Sequence, residues 1–183
     1  MSRNKLLAII ISTLALLSGC QSMADEATIG VPGRVVNTDR SIIILNASLN
    51  GSGVSGTGGQ ECCMSIPAKW KPGMTATLSW TKDPSPDINP DGKSAPVIKN
   101  GISTPEWKAW MANHRKNYRT IEKTIPLPKY GETCGVTFIF LPCDGIRIVI
   151  DCDEKYSLFK DLPGGKEFYP ELARRAGGAK TCR

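Results

Sequence analysis

Cysteine placement constrains this chain more than any other feature. Cys62, Cys63, Cys134, Cys143, Cys152 and Cys182 all lie beyond an N-terminal segment, MSRNKLLAIIISTLALLSGC, which the seventh cysteine, Cys20, closes. That segment opens on Arg3 and Lys5, runs apolar from Leu6 to Leu17 and ends in small residues, the layout of a secretory signal. Its apolar run is short for a bilayer span and polar sequence follows, so it does not read as a retained transmembrane helix. In an oxidising compartment an even set of six thiols reads as a disulfide framework of up to three bridges, with many connectivities open. Cys62 and Cys63 adjoin. Neighbours on a strand point to opposite faces, and a bond between them needs a distorted peptide unit. The pair is therefore expected to tie one strand to two different partners. A metal site is not expected, because no CxxC pair is present and the single histidine, His114, sits far from the cysteines in sequence.

The tetrapeptide Leu17-Ser18-Gly19-Cys20 resembles the bacterial lipobox, which implies an acylated Cys20 at the mature N-terminus. Gln21 stands where an Asp would favour inner-membrane retention, so the resemblance further implies an outer-membrane anchor facing the periplasm. Two or three acyl chains on one cysteine give the stable hold that a single chain does not. The expected division is a signal peptide over 1–19, a lipidated N-terminus and tether over 20–33, and a single globular periplasmic domain over 34–183. Removing residues 1–19 from 183 leaves 164, enough for one domain with a real core. Arg3 and Lys5 leave with the signal, so 23 basic residues become 21 against 17 acidic ones and the net charge falls from +6 to +4. That mild excess is scattered without a basic run, which argues against a nucleic-acid partner.

Most of the chain reads as strand. RVVNTDRSIIILNASLN is rich in β-branched residues and breaks at Asn37-Thr38-Asp39, giving one or two strands. GSGVSGTGG reads as a flexible loop, ECCMSIP as a short strand, KPGM as a turn and TATLSW as a half-buried strand. KDPSPDINPDGKSAP is an irregular polar loop with four prolines. TPEWKAWMANHRKNYRTIEK is the one good helix, with Thr104 as N-cap, Pro105 in the first turn, and Trp107, Trp110, Met111, His114 and Tyr118 at three- and four-residue steps. CGVTFIFLP and GIRIVIDCD read as strands joined through Cys143-Asp144-Gly145, and PELARRAGG as a short tail helix ending at glycine. The predicted fold is α+β and β-dominated: a mostly antiparallel sheet or small sandwich, disulfide-stabilised, with one packed amphipathic helix.

Catalytic and cofactor patterns start and then fail. Gly51 to Gly56 fits GxGxxG, but a cysteine strand follows where a dinucleotide site needs a helix. Asp87, Asn89, Asp91 and Gly92 begin a calcium loop whose twelfth position is Ile98 instead of Glu. There is no GxSxG elbow, and a lone histidine inside an apolar stripe reads as a packed helix residue. Asp151, Asp153 and Glu154 read as surface charge. No enzyme activity, cofactor or metal is expected.

The block NTDRSIIILNASLNGSGVSGTGGQECCMSIPAKWKPGMTATLSW carries an Asn-x-Thr-Asp-like start, a glycine run, the CC pair, Pro-x-x-Trp-x-Pro-Gly and a Trp-ended strand. With IPLPKYGETCGVTFIFLPCDGIRIVI, it resembles a family of small periplasmic lipoproteins that act as immunity proteins to type VI secretion phospholipase effectors. The glycine run is interrupted by Val54, Ser55 and Thr57, and Cys134, Cys143, Cys152 and Cys182 are additional to the signature. The resemblance implies a membrane-anchored protein that binds and inhibits a cognate phospholipase; the alternative is a structural or assembly lipoprotein of the envelope. On the binding reading, the contact surfaces are the loops Gly51–Gly59, with Gly53, Ser55 and Gly56, and Asp83–Lys93, with Asp87 and Asp91. Trp70 and Lys71 at the turn supply an anchor, since Trp is enriched at interface hot spots.

Overall fold

The computed structural model describes residues 27–98, 101 and 103–178. The signal segment, Cys20, the tether as far as residue 26, and Cys182 lie outside the described residues. Alternating apolar side chains build eight strands: β1 (Thr28–Asn37), β2 (Ile43–Leu49), β3 (Ser52–Ser55), β4 (Gln60–Pro67), β5 (Thr75–Asp83), β6 (Arg119–Pro126), β7 (Thr133–Leu141) and β8 (Gly145–Asp151). They form two four-stranded sheets, ordered β4-β1-β7-β8 and β3-β2-β5-β6. Every pairing is antiparallel except β1 with β7. Strand β1 includes residues 28–33, which the sequence reading assigned to the tether.

The sheets face each other across one core. Val35, Met64, Ile66, Phe138, Phe140 and Ile150 from the first sheet meet Ile44, Leu49, Leu78 and Trp80 from the second, so the predicted sandwich and its antiparallel bias are present. A second cluster covers the other face of the first sheet: Val36, Ile139, Leu141 and Val149 pack against Leu158 and Leu172 of two helices, α2 (Cys152–Phe159) and α3 (Phe168–Arg175). β7 is thus buried on both faces, which is why VTFIFL, apolar except for the buried Thr137, does not alternate. Pro32 is tolerated inside β1 because the pairing with β4 slips there.

Three differences from the sequence reading have local causes. The Trp-rich helix, α1 (Pro105–His114), starts as expected, with Trp107 N–H donating to Thr104 Oγ1 at 3.1 Å, but it ends at His114. After a 3-10 turn, Arg119–Pro126 is the edge strand β6, paired over its whole length with β5. GSGVSGTGG is not one loop, because Ser52–Ser55 pairs with β2. The strand reading of GIRIVIDCD stops at Asp151, whose carboxylate caps α2 by accepting from the N–H groups of Asp153 and Glu154. Among the described residues no helix is long and apolar enough to cross a membrane.

Helix α3 is fastened by charge. Glu171 accepts from both Arg174 and Arg175, and Arg175 also donates to the carbonyl of Leu158 at the end of α2. These two guanidinium partners, Arg174 first, pull the Glu171 carboxyl from its ordinary 4.5 down to about 2. A depressed folded pKa gives stability that is complete above the unfolded value and is lost as pH falls through the folded one. A carbon-detected NMR titration should therefore place the Glu171 carboxyl well below the other glutamates. Helical signal from α3 should weaken only as pH drops from about 4.5 toward 2.

Candidate functional site

The expected contact residues divide between the two ends of the sandwich. At one end, the turn 68–73 closes the core: Trp70 is half-buried against it and its indole N–H donates to the Leu127 carbonyl at 3.0 Å. Lys71 is exposed beside it. Trp70 is thus a packing residue as well as a candidate contact. At the other end lie the β3–β4 connection and the loop after β5, where Gly56 and Asp87 line one recess of about 380 Å³ with Arg40, Ile42 and Pro86. Arg40 and Gly56 also line a second recess of about 180 Å³, with Arg34, Thr57, Phe168 and Tyr169. The two recesses form a groove with Arg40 in the middle.

The walls of that groove are set by backbone. A Cβ on Gly56 would collide with the Ile44 carbonyl, so only glycine lets β3 turn there toward β4. Ser55 is held by Glu61, which accepts from its backbone N–H at 2.9 Å and from its hydroxyl. That hydroxyl first, and then the N–H, draw the Glu61 carboxyl below its ordinary value. Gly53 sits inside β3 opposite Ser48, its Cβ position crowded by the Ala47 carbonyl. Asp91 is turned onto its own loop, accepting from Lys93 N–H at 3.3 Å.

The loop from Asp83 to Lys93 is pinned by α1. His114 and Asp83 are almost fully buried, at 1% and 3% exposure, with Nε2 2.7 Å from the carboxylate. The other ring nitrogen lies 3.1 Å from Asn89 Oδ1. The Asn89 amide nitrogen donates to the Trp110 carbonyl, which fixes that side chain's orientation. Each ring nitrogen therefore lies within hydrogen-bonding distance of a side-chain oxygen. Trp107, Trp110 and His114 stack in file, with 5.4 and 4.3 Å between successive rings. His114 is a clamp between helix and loop. Asn89, once a candidate metal ligand by spacing, is committed to it, and no group of three or more metal-ligating side chains occurs among the described residues.

The cysteines depart from expectation. Cys62 and Cys63 are bonded to each other, Cα atoms 3.0 Å apart, while Cys134 bonds Cys152 across 4.9 Å. Cys143 is also disulfide-bonded. The reason is placement: Cys62 and Cys63 are exposed on β4, the sheet edge, with β1 between them and the strand that carries Cys134. Sequence reasoning also missed Arg34 and Arg40. The aromatic faces that hold them, Phe159 at 5.4 Å and Tyr169 at 4.7 Å, come from helices more than a hundred residues downstream.

No curated protein and no solved structure matches the chain. A family match runs from Val36 in β1 to Ile148 in β8, across both sheets and the groove loops and over more than half of the sequence. The chain belongs to the family described as Protein of unknown function (DUF3304).

Proposed function

We propose that this protein is a lipid-anchored periplasmic immunity protein that binds and inhibits a type VI secretion phospholipase effector. The observation that carries the reading is the convergence of Gly56 and Asp87, from two separate loops, on one groove beside Arg40. A disulfide-braced sandwich holds such loops in place before binding, so little ordering cost remains when a partner docks. The lipoprotein-like start and the CC and Trp-x-Pro-Gly blocks support the same assignment. An anchor at the membrane also concentrates the inhibitor where a lipase works.

The test uses a soluble chain begun after Cys20, produced under oxidising conditions and offered as bait to a lysate of the producing bacterium. Recovery of a phospholipase whose activity falls when the chain is added back is the expected result. Recovery of resident envelope proteins alone, with no lipase inhibited, would overturn it and favour the structural or assembly lipoprotein. The double variant Asp87→Lys/Asp91→Lys reverses charge at two exposed loop positions. It should weaken inhibition about tenfold, as the loss of one good interface contact would, with an unchanged unfolding transition.

A further inference from the structure

We infer that the smaller half of the groove, between Arg34 and Arg40, is an oxyanion site that takes a phosphoryl group. Among the described residues neither guanidinium has an ion pair or a hydrogen bond to a protein acceptor, and Arg34 Nε is buried with no partner at all. Both are held instead by ring faces, Arg34 over Phe159 and Arg40 over Tyr169. Stacking on a ring fixes the plane of a guanidinium while leaving its edge donors unused, which preorganises it for an oxyanion. The two line a common recess of about 180 Å³ together with Thr57. That is smaller than the roughly 300 Å³ at which sites for larger organic ligands begin, so it suits a compact group.

Charge selects phosphate over a carboxylate. Lys155, whose ammonium donates to the Cys134 carbonyl, lies close enough to Arg34 to feel its charge and adds to the positive field beside the recess. Burial first, and then Arg34, lower the Lys155 pKa. The nearest acids are engaged elsewhere: Asp39 accepts from Ser41, and Glu61 from Ser55. Asp87 lines the neighbouring recess without an ion pair to Arg40. An ion with two charges and several acceptor oxygens answers this set better than a single carboxylate does.

The soluble chain begun after Cys20 is titrated with inorganic phosphate, with acetate, and with vesicles of phosphatidylcholine with or without phosphatidylglycerol. The Nε–H resonances of Arg34 and Arg40 are followed by NMR. Saturable shifts with phosphate, at least about tenfold tighter than with acetate and weakened by added salt, are expected. Response to phosphatidylglycerol vesicles identifies a lipid headgroup as the source, and response to inorganic phosphate alone identifies a free ion; either upholds the site. Arg40→Gln, at an exposed position, should weaken binding about tenfold or more with the fold intact, and Arg34→Gln should do the same or worse. No saturable shift with either phosphate source, equal affinity for acetate, or full affinity in folded Arg40→Gln would overturn the proposal. None of these outcomes depends on a phospholipase partner.

Discussion

Replacing His114 with Ala is expected to destabilise the domain by about 3 kcal/mol, because it removes a buried ring and leaves buried hydrogen-bonding groups without their partner. The carboxylate of Asp83, 3% exposed, would lose the partner at 2.7 Å and keep only the backbone N–H of Ser85. Asn89 would lose its ring contact, and Trp110 the face on which it stacks. These losses fall on one element, because neither α1 nor the loop from Asp83 to Lys93 belongs to either hydrophobic cluster. The helix is joined to the sandwich through polar contacts and ring stacking more than through apolar packing. Urea unfolding followed by tryptophan emission reads the effect directly, since Trp107 and Trp110 sit in the same stack. For a domain of this size the change corresponds to a melting temperature lower by roughly 10 °C. A loss below about 1 kcal/mol would mean that the pair relaxes into solvent and that the loop is held by other contacts. His114→Gln, which restores one donor, should recover part of the deficit.

The same cluster shows where sequence reasoning stops. The stripe Trp107, Trp110, His114 and Tyr118 was legible as a helix with its cap and first-turn proline, because those signals are local. It pulled the helix too far. Tyr118 is extended, and Arg119–Pro126 joins β5 as an edge strand through pairings with residues about forty positions earlier, which no window on the sequence contains. Lys123 points from that edge over the Trp80 ring, the kind of charged side chain that protects an exposed strand. Asp151 with Asp153 and Glu154 is a good helix start in its own right, but the strong strand reading before it ran through Cys152. The sandwich was legible because β1, β2, β5, β7 and β8 have one or two apolar faces of the right period. The groove was not. Gly56, Asp87, Arg34 and Arg40 carry no common spacing, and what gathers them is the arrangement of strand ends and the two helices laid over the first sheet.

Those helices depend on the Cys134–Cys152 bridge, and removing it as Cys134→Ser/Cys152→Ser should cost about 3 kcal/mol, within the range of about 2 to 5 for exported domains. The bond closes a loop of 18 residues, for which chain entropy alone gives about 3 kcal/mol. Its position adds a directional effect. Cys134 is the second residue of β7 and Cys152 opens α2, so the bridge fixes the helix to the strand that is buried on both faces. The Asp151 carboxylate works at the same corner, capping α2 and accepting from the Gly131 N–H at 2.9 Å. Those N–H donors, Gly131 first, hold its carboxyl below the ordinary carboxylate range. With the bridge gone this corner depends on hydrogen bonds alone, and α2 with α3 should loosen before the sheets part. Hydrogen exchange is the measurement that separates the two. Amides of α2 and α3 should exchange faster than those of β5 and β7 in the double variant. Uniform acceleration across the domain would show instead that the bridge acts only on the unfolded chain. Because Phe159, Phe168 and Tyr169 ride on these helices, a selective loosening also predicts that Arg34 and Arg40 lose their fixed planes. The double variant should then bind phosphate more weakly while its sheets remain folded.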